Sequence, residues 1–355
     1  MSFDVNNLEK RKRIFMTETD LRDAARCQGC KVLPICGGWG DFDDSRWCSK
    51  ECDYCRAICC RHPKAQQIVR SIGGLGIMNV EWKPFETDLP PVIPQLNAHA
   101  FDVAHPAYGI SAKKLYYPDS GGWSKEKDLK ARFKVPQEAK LVISFSVKDI
   151  ILDSWLRDLD MACARIAEYN FDYAIAMNFS MYDNYPPFDR LVNLRRQYFT
   201  MERLQEHGVK VIPGIGYVRA VDLERQAEWC RKNRPPLVSL NMTTMRNNPT
   251  HKAWKHRIDT LERFREKCGY PIRFLLTGAS GPKRLQSLVA RLDGLHFYDT
   301  KTYRFAEFHR KVWDYKWDKA VPVGEMFFNN LEYATWLYET TEEEKQMPQA
   351  ATGGN

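Results

Sequence analysis

The sequence contains no run of about 18 consecutive apolar residues, the length that a helix needs to cross a bilayer, and we therefore expect no membrane-spanning segment. The opening stretch, MSFDVNNLEKRKRIF, lacks the apolar segment of a secretory signal, which indicates a cytoplasmic protein. No G-x-G-x-x-G motif follows an early strand-like run, which disfavours a dinucleotide-binding domain. No internal repeat of fixed period occurs either.

The composition is that of a folded globular protein. Of the 355 residues 44% are hydrophobic, and 10 are tryptophan. This is enough chain to bury one large core and to add a smaller module. The formal net charge is +8, which fits a polyanionic partner without requiring one.

Cysteine is concentrated in one segment near the start. The motif CQGCKVLPIC has the spacing C-x2-C-x5-C, and CSKECDYCRAICC has C-x3-C-x2-C-x3-C-C. In a reducing compartment such density indicates metal ligation rather than disulfides. Thiolates bind both zinc and iron–sulfur clusters, and the crowded spacing favours iron–sulfur over zinc. We expect residues 1–62 to form a metal-binding module whose ligands are Cys27, Cys30, Cys36, Cys48, Cys52, Cys55, Cys59 and Cys60.

Three of these cysteines also fit a different class of enzyme. Cys48, Cys52 and Cys55 form C-x3-C-x2-C with Tyr54 before the last, the spacing by which radical S-adenosylmethionine enzymes hold a [4Fe–4S] cluster. In those enzymes the triplet follows the first barrel strand, whereas here the convincing strand-like runs begin well after Cys55. The triplet therefore fits better in an appended module, and the radical enzyme stays an alternative.

Residues 63–340 alternate short apolar runs with amphipathic segments of helical period. The runs are PVIPQL (91–96), KKLYY (113–117), KLVISFSV (140–147), YAIAMNFS (173–180), VKVIPGIG (209–216), PLVSLNM (236–242), IRFLLTG (272–278) and GLHFYD (294–299). Eight such strands predict an α/β fold with a (β/α)8 TIM-like barrel, with an open doubly wound sheet as the alternative. The polar composition of residues 341–355 predicts a disordered tail. In a barrel, chemistry belongs at the C-terminal ends of the strands.

Two stretches at such strand ends resemble the tRNA-guanine transglycosylase superfamily, including the branch that inserts 7-deazaguanines into the DNA of phages and bacteria. The first is YYPDSGGW (116–123), and the second is FLLTGASGPKRLQSLVARLDGLHFYDTKTYR (274–304). The resemblance covers roughly residues 90–310. It implies that Asp119 handles the base and its proton, and that Asp299 is the nucleophile that attacks C1′ of the sugar.

The implied chemistry is coherent. Exchanging a base without hydrolysis needs a carboxylate that traps the sugar covalently, and a second acid that moves a proton on the base. The target base must also leave its stack. The expected activity is replacement of guanine by a 7-deazaguanine, in DNA rather than tRNA. The residues expected to bind the substrate are Ser120, Gly121, Gly122, Asn178, Ser180, Asp183, Gly278 and Ser280. One departure is that the family's C-x-C-x2-C zinc site does not follow Cys268.

The middle of the chain also resembles a phage and bacterial domain family of unknown function. In that family a strand ending in Asp/Asn-Phe-Ser-x-Tyr precedes a basic helix, and here MNFSMYDN (177–184) precedes a helix with Arg190, Arg195 and Arg196. These arginines are candidate phosphate contacts. A non-catalytic nucleic-acid-binding protein, with the barrel as scaffold, is the third functional hypothesis.

Overall fold

A computed structural model of the chain describes residues 65–117, 122–181, 187–217, 220–243 and 252–346. The expected metal module, with all eight of its cysteines, lies outside the described residues. The strands are β1 (Val92–Leu96), β2 (Ala107–Ser111), β3 (Tyr116–Tyr117), β4 (Gly122–Trp123), β5 (Lys140–Ser144), β6 (Tyr173–Ile175), β7 (Val211–Ile212), β8 (Gly214–Ile215), β9 (Leu237–Asn241), β10 (Arg273–Thr277) and β11 (Leu295–Asp299). The helices are α1 (Ala65–Ser71), α2 (Leu129–Phe133), α3 (Asp149–Leu156), α4 (Leu159–Glu168), α5 (Pro187–Glu206), α6 (Ala220–Asn233), α7 (Lys252–Cys268), α8 (Pro282–Val289), α9 (Thr302–Glu307) and α10 (Val323–Gln346).

Nine of these strands form one parallel sheet in the order β7-β6-β5-β2-β1-β11-β10-β9-β8. The two strands at the ends of this order, β7 and β8, are separated in the chain only by Pro213. The carbonyl of Ile212 accepts a hydrogen bond from Ala176 on one side (3.0 Å), and that of Pro213 accepts one from Ser239 on the other (2.7 Å). The sheet is thus a nearly closed barrel surrounded by helices. The expected barrel architecture is confirmed, and the open doubly wound alternative is wrong.

The barrel interior is filled by side chains that alternate with those facing the helices. On β10, Leu275 belongs to the inner cluster, while Phe274 and Leu276 pack in the outer one. The ring of Tyr298 is fully buried inside the barrel. It occupies the space beside Gly109 on β2, where a Cβ atom would lie 2.4 Å from the ring. The inner layer therefore requires glycine at this position.

The segment before β1 closes the N-terminal end of the barrel. Trp82 donates its indole N–H to the carbonyl of Val211 (3.0 Å), and the Tyr173 hydroxyl donates to Asp88 (2.9 Å). Leu89 joins the inner cluster. The ring Nδ1 of the buried His296 lies 3.0 Å from the carbonyl of Pro90. The catalytic candidates are thus left to the opposite end.

Two expectations from the sequence differ from the structure. Residues 113–117 are not a barrel strand: a 3-10 helix covers Ala112–Lys114, and β3 pairs antiparallel with β4 in a hairpin. The second barrel strand is β2. Its sequence lacks the apolar run of a buried strand because its inner face carries only small residues beside Tyr298. The stretch IILDSWLRDLDMACARIAEY (150–169), whose apolar residues predict one helical stripe, forms two helices. Asp158 caps the second of them, α4, by accepting a hydrogen bond from the N–H of Met161 (3.4 Å).

The helical layer also departs from a regular alternation. Residues 97–106, which connect β1 to β2, contain no helix. Helix α10 continues to Gln346, into the segment expected to be a disordered tail. In the part of the chain that the structure describes, every helix is too short or too polar to span a bilayer.

The contact between Gly109 and Tyr298 predicts the cost of one methyl group. Gly109→Ala should lower the free energy of unfolding by about 1–3 kcal/mol, because the added Cβ overpacks the barrel interior. Urea denaturation measures this cost. Gly76→Ala is the matched control, since a Cβ at Gly76 meets no atom within 4 Å. Equal urea midpoints for the two variants would contradict the described interior.

The buried His296 predicts a pH dependence of stability. Burial lowers the pKa of His296 below its usual value, while its contact with the carbonyl of Pro90 acts in the opposite direction. The unfolded chain therefore takes up a proton near pH 6.5 that the folded chain refuses, and stability falls as the pH drops below that value. His296→Gln should flatten the profile between pH 7.5 and 5.5 by up to about 1 kcal/mol per pH unit. Urea titrations at several pH values test this, and parallel profiles for variant and wild type would refute it.

Candidate active site

The C-terminal ends of the barrel strands gather the described residues of the expected site at one end. Asn178 and Ser180 follow β6, Gly278 and Ser280 follow β10, and Asp299 ends β11. Gly122 begins β4, in the hairpin that follows β2. The remaining candidates, Asp119, Ser120, Gly121 and Asp183, lie outside the described residues. In the sheet, β2 and β11 are separated only by β1.

The carboxylate of Asp299 is completely buried and bonded to the backbone. One oxygen accepts the N–H of Lys301 (2.8 Å), and the other accepts the N–H of Thr302 (3.2 Å). Tyr298 faces the barrel interior, so strand alternation puts Asp299 on the side of the helices. The carboxylate therefore holds the first turn of α9, and its orientation is fixed by two donors.

A tight turn between β10 and α8 lies on the neighbouring strand. Gly278 has φ +82, and a Cβ there would lie 2.6 Å from the backbone N and Cα of Thr243. Only glycine fits both the backbone conformation and the space. The carbonyl of Gly278 accepts a hydrogen bond from Arg284 (3.3 Å). Ser280 is buried, and its hydroxyl has no hydrogen-bond partner among the described residues.

Lys301 reaches from the β11–α9 turn to the start of α8. Its ammonium would lie 2.5 Å from a Cβ at Gly281. The ammonium therefore fits here because Gly281 has no side chain. Burial lowers the pKa of Lys301, the Asp299 carboxylate opposes this effect, and the charge of Arg284 adds to it. Sequence reasoning missed Lys301. A lysine two residues after a strand-end aspartate was the available signal, but the fold was needed to bring it beside Gly281.

The loop after β6 is tied to two helices. Ser180 donates its hydroxyl to Asp149 at the start of α3 (3.0 Å), and its carbonyl accepts from Asn193 on α5 (2.9 Å). Asn178 lines a cavity of about 10 Å³, which is room for one water molecule, and its polar lining also includes Ser146, Gln197, Ser239, Asn241 and Thr277. This cavity is too small for a purine. The side-chain amide of Gln197 occupies the space where a Cβ at Gly214 would lie. Gln197 is another residue that sequence reasoning missed.

Of the three candidate phosphate contacts on α5, Arg190 and Arg195 are buried, and Arg196 lies 3.3 Å from a carboxylate oxygen of Asp153. The side chains of Arg190 and Arg195 are only 4% and 8% exposed. Arg190 lies 3.7 Å from a carboxylate oxygen of the buried Asp222 on α6, and Arg195 donates to the carbonyl of Ile72 (2.8 Å). The prediction that Arg190 and Arg195 contact phosphate is wrong, because α1, α6 and the segment after α1 cover these two side chains.

No metal site is formed by the described residues, among which no three His, Cys, Asp or Glu side chains form a metal-binding group. Cys163, Cys230 and Cys268 are buried free thiols. Burial raises the pKa of Cys163 to about 12, which keeps it protonated at neutral pH. The eight expected metal ligands lie outside the described residues.

Comparison with protein-family models and with curated proteins finds no match for this chain. The resemblance of two short motifs to the transglycosylase superfamily therefore stays a hypothesis about function.

The two backbone hydrogen bonds of Asp299 predict a structural cost of its removal. Asp299→Ala should lower the free energy of unfolding by about 1–3 kcal/mol, since two buried N–H groups lose their acceptors. Asp299→Asn keeps one side-chain oxygen and should cost less. Asp158→Ala removes an exposed helix cap and serves as a control, expected at about 0.5–1 kcal/mol. If chemical denaturation shows Asp299→Ala to be no more costly than the control, the described bonds do not hold this turn.

Proposed function

We propose that this protein is a nucleic-acid base-exchange transglycosylase that replaces guanine by a 7-deazaguanine, with DNA favoured over tRNA as the polymer. Asp299 attacks C1′ of the target nucleotide and forms an ester-like bond to the sugar as the bond to guanine breaks. The incoming base then attacks C1′ and releases the carboxylate. Asp119 carries the proton on the departing and entering bases. The target nucleotide is extruded from its stack.

The position of Asp299 is the observation that carries this proposal. Its carboxylate ends the last strand of the barrel, and two backbone N–H groups keep it in one orientation. A covalent nucleophile needs such a fixed position relative to the sugar. The Gly278 turn lies on one neighbouring strand, and the hairpin of β3 and β4, which includes Gly122, follows β2.

The charge of the adjoining turns supports a polyanionic substrate. The connections that follow β9, β10 and β11 contain no acidic residue within 242–258, 278–289 and 300–306. Their basic residues in the described part of the chain are Lys252, Lys255, Arg257, Lys283, Arg284, Lys301 and Arg304. Three adjacent strands therefore end in turns of one charge sign beside Asp299, which favours contact with phosphate groups.

The proposal makes one conformational demand. Asp299 has no exposed surface, so substrate binding must uncover at least one carboxylate oxygen before C1′ can be attacked.

The cysteine-rich segment belongs to the proposal as a metal-binding module, with iron–sulfur preferred over zinc.

Incorporation of radiolabelled base tests the function. Purified protein is incubated with labelled guanine or a labelled 7-deazaguanine, and with either duplex DNA or bulk tRNA. We expect label in DNA with wild type, and a loss of about a thousandfold or more with Asp299→Asn, because the nucleophile is removed while one acceptor for the backbone remains. Asp158→Asn, an exposed aspartate that caps α4, should retain the wild-type rate.

Other outcomes distinguish the rival hypotheses. Incorporation at the wild-type rate by Asp299→Asn would contradict the assigned nucleophile. Binding of DNA that survives Asp119→Asn and Asp299→Asn, without incorporation by any form of the protein, would instead support a non-catalytic nucleic-acid-binding protein.

A further inference from the structure

We propose that the start of α8, together with Lys301, forms a binding site for a phosphate group, supplied by a phosphodiester of the polynucleotide. The geometry of this region supports a phosphate site whatever the protein's function. Its assignment to a polynucleotide rests on the proposed function.

The first turn of α8 has no side-chain cap. Gly281 is the N-cap residue, Pro282 follows it, and within the described ranges no side chain accepts a hydrogen bond at this end of the eight-residue helix. Pro282 has no N–H, and the N–H of Arg284 already donates to the carbonyl of Gly281 (2.9 Å), so the N–H of Lys283 is the first-turn donor left without an acceptor within the helix. Such a donor carries part of the positive charge of the helix end. An anion satisfies both requirements, which is why phosphates bind at such positions.

Ser280 supplies a second, independent indication. It precedes the N-cap residue, is only 4% exposed, and its hydroxyl has no hydrogen-bond partner in the described part of the chain. A buried hydroxyl without a partner costs about 1–3 kcal/mol. A phosphate oxygen at the start of α8 would accept this hydrogen bond.

Lys301 adds positive charge where the helix end is already positive. Its ammonium occupies the space that a Cβ at Gly281 would fill, and the charge of Arg284 acts on it as well. No salt bridge joins Lys301 to a carboxylate in the described part of the chain. Asp299 acts on it electrostatically, yet both oxygens of Asp299 are bonded to backbone N–H groups. The Asp299 carboxylate offsets one of the two positive charges, and a bound phosphate would offset the other.

The place of these groups in the barrel fits a phosphate. If β7 and β8 count as one interrupted strand, β10 and β11 are the seventh and eighth strands. The turns after these two strands, with the start of a short helix, are where barrels of this class frequently hold phosphate. Lys301 follows Asp299 by two residues, so a phosphate bound here would lie beside the proposed nucleophile and fix the position of the sugar.

Binding of a fluorescein-labelled single-stranded 12-nucleotide DNA, followed by anisotropy at several NaCl concentrations, tests the site. Lys301→Gln should weaken binding about tenfold and reduce the slope of log K against log salt by about 0.7, since one phosphate contact is lost. Ser280→Ala should weaken binding about three- to fivefold without changing the slope, because the hydroxyl is neutral. Lys210→Gln removes an equal charge from an exposed position at the opposite end of the barrel and should change neither quantity.

Competition by inorganic phosphate, at constant ionic strength, distinguishes the source of the phosphate group. We expect it to displace DNA from wild type and from Lys210→Gln, and to have less effect on Lys301→Gln. If inorganic phosphate binds in a Lys301-dependent way while DNA affinity ignores Lys301, the polynucleotide assignment is overturned and a free-phosphate site stands.

If Lys301→Gln and Ser280→Ala, both with wild-type urea midpoints, match Lys210→Gln in every measurement, no phosphate site exists here. A Lys301-dependent salt slope in a protein that never incorporates base would overturn the proposed function and leave the phosphate site in place.

Discussion

Backbone hydrogen bonds on both sides of Pro213 join the two ends of the parallel sheet, and the location of every candidate functional group depends on this closure. The segment Val211–Ile215 bonds to β6 through its first half and to β9 through its second. Because all strands of the sheet are parallel, their C-terminal ends then meet at one end of the barrel. The other end is closed by the segment that contains Trp82 and Leu89, so only one end is left for chemistry.

Asp299 connects the fold with the proposed reaction. In the structure it holds the first turn of α9 through two backbone N–H groups, which is a structural role. The same two bonds would orient a nucleophile. These roles are separable, because asparagine can replace the aspartate as a hydrogen-bond acceptor but cannot form the sugar ester. A purely structural residue would tolerate that replacement with full activity.

Much of the barrel could be predicted from the sequence because seven strands keep apolar runs of the right length. The second strand, AYGIS, could not, since its small inner residues are explained only by the ring of Tyr298 from β11. Positions of single residues were predictable where they follow a strand, as for Gly278 and Asp299. Contacts across the barrel were not: nothing in the sequence places Lys301 against Gly281, or pairs the buried Arg190 with Asp222.

The central claim is that a covalent bond forms between Asp299 and the sugar. Mixing the protein with a guanine-containing DNA in the absence of an incoming base should accumulate this adduct, because release then requires guanine to return. Denaturing gel electrophoresis followed by peptide mass spectrometry locates the linked residue. The account predicts a DNA-derived mass on the peptide that contains Asp299, absent in Asp299→Asn. An adduct on another residue, or base exchange that proceeds with no adduct at all, would contradict it.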